Sequence, residues 1–587
     1  MNRPIFIPQI SKPQTAQFAT YIFASALLCL MTSVVHAQAG ADAAILQRNL
    51  QQQVPQLDAL PQAEPPKGVA PSIKPKQDPN AVRILVKGFQ INGATLFSQE
   101  QLQEIVKPWV GQNLTLPELQ DVGNAISNFY QSKGRIAQVE IPPQKLDQGI
   151  VILKVLEGRL GAVNTTIPND ARVNKDLPAS YVEVQNPVGS YVDTLAIDRA
   201  LFLLQETPGI RYESAIEPGK QDGEVNLNLE VQDTALFTGN VGVNNYGSRS
   251  TGQSQVIGAI GIQNPSGHGD QVAVNAIVSQ GSNFFLASYI TPLNSDGLKL
   301  AISASDLHYT NIDSFQANGS FGTASVGSAN LSYALLRSQT ANANIYASYD
   351  FKTYMNKFLG SALVNSNYLI RNFNIGISGN RYDKFFGGGV NSFSMTATSG
   401  NLSFYADQFA DGSNYGAYTP QNFQKLSFSA SRNQQIIPDK TVVNISLSGQ
   451  LANQNLDPAE QFYLGGPYGI QSYPVGQGRG SQGFLGVIEL QQQLPEKFIG
   501  TVAIQAGRIQ QYVNLYPGWQ GLTGANNWYN LAGAGPGLKW SHNNLAITAN
   551  VAWAIGSNPL KNSQGQSVNV DNWSKPAYAW AQAVVSF

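Results

Sequence analysis

The sequence predicts a transmembrane β-barrel of sixteen antiparallel strands, preceded by two small α+β domains and one N-terminal helix. From 234 to 587, segments of about ten residues alternate apolar and polar side chains, as barrel strands in a membrane do. Only 12% of the residues are charged, and the chain contains 55 glycines, a composition typical of such barrels. After the N-terminus no segment has the roughly 18 consecutive apolar residues of a membrane-spanning helix, which disfavours helical spans.

Composition also excludes several classes of function. The formal net charge of the 587-residue chain is −1, which gives no basis for binding nucleic acid. Cys29 is the only cysteine and the four histidines are scattered, so we expect no disulfide framework and no metal site. No nucleophile–base pair, paired carboxylates or phosphate-binding loop is evident in the sequence. We therefore expect a protein that is not an enzyme and that binds no cofactor.

The first 37 residues predict a secretory signal peptide. Arg3 and Lys12 supply the positive start, and an apolar stretch follows at 21–31. Val35, His36 and Ala37 end the segment with the small-residue pattern that a signal peptidase accepts. This stretch is too short for an anchor helix, so we expect its removal.

Residues 38–54 predict one short helix, with Ile45, Leu46 and Leu50 along one side. A Pro-rich linker follows over 55–81, and such linkers are extended and semi-rigid. The helix is either a loose tail or a segment held at a distance so that it can enter an opening elsewhere in the molecule. The local sequence leaves both readings open.

Residues 82–158 predict a domain of βααββ order. Ser98 with Gln101, and Thr115 with Glu118, have the spacing of capping boxes and open its two helices. The second helix has one apolar face, made by Leu119, Val122, Ile126, Phe129 and Tyr130. The strands are predicted around 84–92, at 136–141 and at 150–156.

The same order returns over 159–233, so the chain contains a tandem repeat. A strand to 167 is followed by a weak first helix, and Asp193 or Thr194 opens the second helix. Strands are predicted at 210–216 and 225–231. Asp198 and Arg199 are interpreted as part of a solvated helix face.

Sixteen strands are predicted in the C-terminal part, and short turns alternate with long connections, as in outer-membrane barrels. A barrel of this size leaves an aqueous channel, whereas a soluble β-sandwich is the alternative. The strands are placed near 237, 253, 270, 283, 297, 325, 341, 364, 391, 423, 440, 482, 498, 529, 543 and 577.

One long connection, 453–481, contains a glycine-rich segment that is the centre of the functional interpretation. It carries three tyrosines, Tyr463, Tyr468 and Tyr473, which pair apolar bodies with polar tips. Loops of this length in a compact domain are functional or disordered. The segment is either an external loop or a hairpin folded back into the barrel lumen.

Taken together, these parts resemble the two-partner secretion transporters of the outer membrane (TpsB family, haemolysin-activator and filamentous-haemagglutinin transporter type), and the βααββ units resemble POTRA domains. Local matches are ALFLLQETPGI at 200–210 and FYLGG at 462–466, which includes Gly465 and Gly466. A third match is the loop tip, formed by Ile470, Gln471, Ser472 and Tyr473.

Two positions depart from the pattern of the family. The family usually has arginine at the tip position of Gln471 and an aspartate on the inner barrel wall at the position of Gln505. Strand alternation puts Val502 and Ile504 toward lipid and therefore Gln505 toward the lumen. We hypothesise that an amide hydrogen bond between Gln471 and Gln505 replaces the ion pair; Arg479 is an alternative source of charge.

The resemblance implies export of one large exoprotein from periplasm to cell surface, without ATP, by a monomeric barrel in outer-membrane lipid. The POTRA domains would lie in the periplasm and capture the unfolded partner, and the N-terminal helix would plug the resting channel. The second helix of the first repeat and the strand after it are the candidate capture groove, with Leu119, Val122, Ile126, Tyr130, Ile136 and Val139 as its residues.

Other functions remain open from the sequence. A passive porin explains the barrel but not the two repeats, and a barrel-assembly factor of the same superfamily usually has more repeats and no tethered helix. The exported partner is equally open among a haemolysin, a filamentous adhesin, a haem-binding protein and a contact-dependent inhibition toxin. We lean to the last two, without residue-level grounds.

Overall fold

The computed structural model describes residues 42–54, 60–64, 82–145, 149–313, 315, 319–358, 364–406, 419–520, 526–561, 565–567, 569–572 and 576–587. The predicted signal peptide and most of the predicted linker lie outside these residues. Within them, no helix is both long and apolar enough to cross a membrane.

The N-terminal helix α1 covers Ala43–Gln51 and is shorter than predicted. Asp42 caps it, because its carboxylate accepts hydrogen bonds from the backbone N–H groups of Ala44 and Ile45.

The first α+β domain confirms the predicted order and adds a small two-stranded sheet, β1 with β3. Both predicted capping boxes are present, at Ser98 and at Thr115. The main sheet has the order β2-β5-β4, with β2 parallel and β4 antiparallel to β5. The elements are β1 Ile84–Leu85, β2 Gly88–Asn92, α2 Gln99–Val106, β3 Asn113–Leu114, α3 Leu116–Ser132, β4 Ala137–Glu140 and β5 Ile150–Glu157.

The second domain has the same strand order, β6-β8-β7, and the same strand directions, which confirms the repeat. Asp193 caps its second helix as predicted. The elements are β6 Arg159–Thr166, α4 Leu177–Gln185, α5 Thr194–Gln205, β7 Ile210–Pro218 and β8 Glu224–Asp233.

A hydrogen-bond network joins the two domains at the end of β5. The Glu157 carboxylate accepts from the Tyr130 hydroxyl at 2.7 Å and from the backbone N–H groups of Thr95 and Leu96, both at 2.8 Å. The Thr95 hydroxyl in turn lies 2.7 Å from that of Tyr191 in the second domain. The network fixes how the first domain leads into the second.

Sixteen strands then close into one antiparallel barrel, and every strand lies at or near its predicted position. The last strand pairs with the first from Gln582 opposite Asn244 to Ser586 opposite Asn240. Side chains alternate as expected, so that in one strand Phe284 is buried in the lumen and its neighbour Phe285 is exposed. The strands are β9 Phe237–Asn244, β10 Gln255–Gln263, β11 Gln271–Ser279, β12 Ser282–Pro292, β13 Leu298–Thr310, β14 Ser320–Arg337, β15 Ala341–Phe358, β16 Val364–Asp383, β17 Gly389–Ala406, β18 Asn422–Ile437, β19 Thr441–Ala452, β22 Gln482–Gln493, β23 Phe498–Gln510, β24 Trp528–His542, β25 Leu545–Ala554 and β26 Ala577–Ser586. The numbers β20 and β21 belong to Phe462–Tyr463 and Arg479–Gly480 in the long loop.

The second domain docks on the short turns of the barrel through α5. The interpretation of Arg199 as solvated is wrong, because its Nη2 donates to the backbone oxygens of Ala334 at 2.6 Å and Asp296 at 3.0 Å. About two turns further along, at the C-cap of α5, Glu206 forms ion pairs with Arg337 and Lys299. The helix face that meets the barrel combines these charged groups with Leu203, which packs beside Gly297 and Ala334, so apolar periodicity alone did not mark Arg199 as part of a contact face.

Candidate functional site

The barrel lumen holds two segments of the chain itself, helix α1 and the long loop at 453–481. Leu46 and Leu50 of α1 are buried against inward-facing side chains of the barrel wall, among them Phe284. Leu464 and other loop residues form a second buried cluster with the wall.

Helix α1 is surrounded on all sides, which its amphipathic pattern did not indicate. Its polar residue Gln47 is as buried as its leucines and donates from Nε2 to Ser305 Oγ at 2.8 Å. The backbone N–H of Ala43 donates to Asn356 Oδ1 at 3.0 Å. Ile45, the third predicted plug residue, is half-buried and lies beside Gly476 of the loop. The helix therefore touches both the wall and the loop.

The chain after α1 reaches the end of the barrel that carries the short turns. There the carbonyl oxygen of Pro61 accepts hydrogen bonds from the side-chain amides of Asn342 at 3.2 Å and Asn380 at 2.8 Å. The backbone N–H of Glu64 donates to the carbonyl of Gln339 at 2.7 Å. These contacts place the described part of the linker at the rim that faces the α+β domains.

The loop folds back as a compact hairpin whose base is the β20–β21 pair. Two of its glycines are required by geometry. Gly466 has φ of +116°, in the region that favours glycine, and a Cβ at Gly465 would lie 2.4 Å from the carbonyl oxygen of Pro474. The glycine-rich composition thus allows the tight path of the hairpin.

The predicted hydrogen bond at the loop tip is present. Gln505 Nε2 donates to Gln471 Oε1 at 3.0 Å, and the backbone N–H of Gln471 donates to Gln505 Oε1 at 3.2 Å. Gln505 is 2% exposed whereas Val502 and Ile504 are more than half exposed, which matches the predicted facing of this strand. The role of this bond in releasing the loop stays a prediction.

The rest of the tip packs against neighbouring strands. The indole N–H of Trp580 donates to the carbonyl of Gln471 at 2.7 Å. Ile470, Ser472 and Tyr473 are all buried, and a Cβ at Gly533 of the wall would overlap the Ser472 side chain. The absence of a side chain at Gly533 therefore makes room for the tip.

A buried ionic cluster at the start of the hairpin was missed by the sequence analysis. Glu460 forms ion pairs with Lys352 at 2.9 Å and with Lys425 at 2.6 Å. The nearby Asp457 accepts a hydrogen bond from the Tyr368 hydroxyl at 3.1 Å. The sequence feature that could have indicated this cluster is the pair of lysines, Lys352 and Lys425, at inward-facing strand positions in a chain with few charges.

The proposed groove residues of the first domain need correction. Leu119, Val122, Ile126 and Tyr130 are at most 2% exposed and form the core between α3 and the sheet. They therefore line no open groove, because the apolar face of α3 is covered by its own domain. Val139 is only partly buried against this core, and Ile136 is partly buried against the core of the second domain.

No group of three potential metal-binding side chains occurs in the described part of the chain. Arg479, the alternative source of charge at the tip, lies instead at the base of the hairpin, opposite Tyr463.

A closed sixteen-stranded barrel with two βααββ repeats and an occupied lumen defines an outer-membrane barrel of the class that carries POTRA domains. Residues 84–158 match the POTRA domain of ShlB type. Residues 223–540 match the family described as haemolysin secretion/activation protein ShlB/FhaC/HecB. The chain belongs to this family of two-partner secretion transporters, which are outer-membrane transporters and not enzymes, with their POTRA domains in the periplasm.

Two named outer-membrane transporters and one solved structure are similar to this chain over most of its length. The heme/hemopexin transporter protein HuxB of Haemophilus influenzae (strain 86-028NP) is 23% identical over 566 residues, 95% of this chain and 97% of that protein. The outer membrane transporter CdiB of Escherichia coli is 25% identical over 431 residues, 71% of this chain and 70% of that protein. The solved structure of CdiB from Escherichia coli superposes with a TM-score of 0.66 at 20% identity, covering 93% of this chain and 98% of that chain.

Proposed function

We propose that this transporter exports one specific large exoprotein from the periplasm to the cell surface. The observation that carries the proposal is the double occupation of the lumen by α1 and the inward loop. A passive pore has no need of two segments that fill it, whereas a conduit for an unfolded chain must be closed at rest and cleared for each export event.

Capture of the partner is proposed at the edge of the first POTRA sheet. Strand β4 is an end strand of the order β2-β5-β4, so it has a sheet neighbour on one side only. An extended peptide can add a strand at such an edge through backbone hydrogen bonds. The buried residues of α3 support this edge from behind, and the half-exposed Val139 on β4 is the groove candidate that remains accessible.

Export is proposed to need no nucleotide, with the protein acting as a monomer. Folding of the exoprotein outside the cell would prevent its return and so give direction to the movement. Purified transporter in ATP-free liposomes should let an unfolded segment of the partner cross the membrane through the barrel. Dependence of that movement on ATP would contradict this part of the proposal.

Two cargo classes are proposed, a haem-binding exoprotein and a contact-dependent inhibition toxin. The similarity to HuxB, a heme/hemopexin transporter protein, supports the first class. A haem-binding assay on the exported protein, beside a growth-competition assay, distinguishes the two.

The decisive experiment is deletion of this gene with complementation. Surface exposure of one exoprotein should be lost while the abundance of other outer-membrane barrels is unchanged. A general fall in folded barrels would instead indicate a barrel-assembly factor. Loss of small-solute uptake with exoprotein export intact would indicate a porin.

A further inference from the structure

The inward loop is held to the wall at its root as well as at its tip. The root is Asp457 to Gln461, just before the β20–β21 pair. Here Glu460 presents both carboxylate oxygens to the wall: Oε1 accepts from Lys352 Nζ at 2.9 Å and from Asn372 Nδ2 at 2.8 Å, and Oε2 accepts from Lys425 Nζ at 2.6 Å.

The backbone of the same residue is bound too. The carbonyl oxygen of Glu460 accepts from Gln450 Nε2 at 2.9 Å and from Lys425 Nζ at 3.1 Å. Four strands, β15, β16, β18 and β19, thus contribute a donor to one loop residue. The Glu460 side chain is 1% exposed, and those of Lys352 and Lys425 are 18% and 11% exposed.

Burial makes this contact costly to break. Two lysines shielded from water are compensated by Glu460, and Asp350 adds a second carboxylate 3.8 Å from Lys352. Taking away one partner of a buried ion pair leaves the other charged groups without compensation, which destabilises the arrangement far more than loss of an exposed pair. The root contact is therefore ionic and buried.

The tip contact has a different chemistry and a different place on the wall. Gln471 and Gln505 are neutral, and Gln505 belongs to β23, outside the group of strands that binds Glu460. The hairpin is consequently fixed at two separated points, one neutral and one ionic.

We propose that Glu460 is a second, ionic anchor of the inward loop, which holds the loop root on the β15–β19 wall while the neutral tip contact opens. The loop then pivots about its root during gating and stays inside the barrel. This inference deepens the proposed function, on which its role in export rests, but the anchor itself is measurable without any partner.

Two single-cysteine reporters distinguish root from tip in the full-length chain. With Cys29→Ser as background, Ala459→Cys reports on the root and Ser472→Cys on the tip, since both positions are buried. The probe is a water-soluble maleimide, and the readout is the labelling rate of the purified, detergent-solubilised transporter. Unboiled samples that migrate as folded barrel on a gel establish that each variant has folded.

Glu460→Gln should accelerate labelling at position 459 by roughly tenfold or more and leave position 472 within about twofold. Gln505→Ala should do the reverse. Glu213→Gln, at an exposed POTRA residue, is the matched control and should change neither rate. Lys352→Met and Lys425→Met, tested singly, should accelerate root labelling in the same direction, and they carry the test if Glu460→Gln does not fold.

Unchanged root labelling in Glu460→Gln and in both lysine variants overturns the proposal. If Glu460→Gln accelerates labelling equally at positions 459 and 472, the proposal is also overturned. In that case the root and the tip would be released together, as one cooperative contact. Failure of export in a separate secretion assay, with the labelling pattern as expected, would reject the proposed function and leave the anchor in place.

Discussion

At the loop tip, two neutral side chains, Gln471 and Gln505, meet where the sequence resemblance implies an ion pair. The contacts between Gln471 and Gln505 are ordinary amide hydrogen bonds at 3.0 and 3.2 Å. A bond of this kind contributes about 0.5–1.5 kcal/mol net, roughly half of a charge-assisted one. We therefore expect this contact to hold the loop tip less firmly than an ion pair at the same two positions would.

Gln505→Ala should increase the frequency of channel openings by about twofold to tenfold, because Gln471 loses both of its hydrogen bonds to Gln505 and keeps only the one from Trp580 on the wall. The double variant Gln471→Arg with Gln505→Asp should lower it, since a charged pair holds the tip more firmly. Single-channel recording in planar bilayers measures both. Gln253→Ala, at an exposed loop residue, is the control, and opening frequencies that do not differ among the four proteins would contradict the role of the tip.

Glu157, at the end of β5, binds Tyr130 of α3 and the Thr95–Leu96 segment within the first domain. Burial alone would raise the pKa of its carboxyl, but hydrogen bonds from the Thr95 side chain, the Leu96 backbone and the Tyr130 hydroxyl outweigh burial and hold the pKa below its ordinary value. A carboxyl with a lowered folded-state pKa stabilises the fold above its unfolded pKa, and this contribution disappears as the pH falls through the folded pKa.

Glu157→Gln should therefore destabilise the POTRA region by about 1–3 kcal/mol at pH 7, since charged hydrogen bonds are lost. The difference from the unchanged protein should shrink only as the pH falls below the ordinary range of a glutamate, because the pKa of Glu157 is lowered in the folded protein. Hydrogen exchange of α3 in the full-length protein, followed from pH 7 downward through that acid range, measures it. A difference that stays constant with pH would mean that packing, and not charge, accounts for the effect; Glu213→Gln is the control.

At the scale of elements, α1 is held in the lumen by polar bonds as well as by its leucines. Asn356 and Ser305 of the wall bind its start and its middle, and Arg48 lies over the ring of Tyr463 in the loop, 5.2 Å from its centroid. An isolated helix of nine residues is unstable in water, so these contacts supply the stability of the helix. The helix is ordered by the site that it fills.

Deletion of residues 39–54 should raise single-channel conductance, because the helix occupies lumen volume that ions and water would then enter. The measurement is conductance of the purified protein in planar bilayers, with and without the deletion. A matched control replaces the exposed Gln52 with Ala and leaves the helix in place. Conductance that is unchanged by the deletion would reject the plug role.

The helices and strands could be predicted from the sequence, whereas only some of the contacts between them could. The facing of Gln505 follows from the two-residue period of a strand, and the tip position of Gln471 follows from the family pattern, so their contact could be predicted. Glu460 meets Lys352 and Lys425 only because barrel closure brings distant strands around one loop residue, which no local pattern encodes. Periodicity identified the apolar face of α3 but could not tell whether its own sheet or a partner covers it.

At the scale of the whole molecule, one continuous path links the POTRA domains to the plug. The second domain is fixed to the barrel turns by Arg199 and Glu206, and the linker crosses the same rim at Pro61. Movement of α1 toward the periplasm therefore requires the linker to pass the rim beside the docked domain. The capture edge and the plug are joined through this rim, so partner binding and channel opening can be coupled mechanically.

If the plug must leave for export, fixing it in place should stop export reversibly. Gln47→Cys with Ser305→Cys puts thiols at two positions whose native side chains are hydrogen-bonded at 2.8 Å, and a short thiol-cleavable crosslinker would join α1 to the wall. Surface appearance of the exoprotein should fall to background after crosslinking and return after reduction, with each single-cysteine variant as control. Export that continues at full rate through a barrel with its helix covalently held would show that the conduit passes beside the plug, and the requirement for plug exit would be wrong.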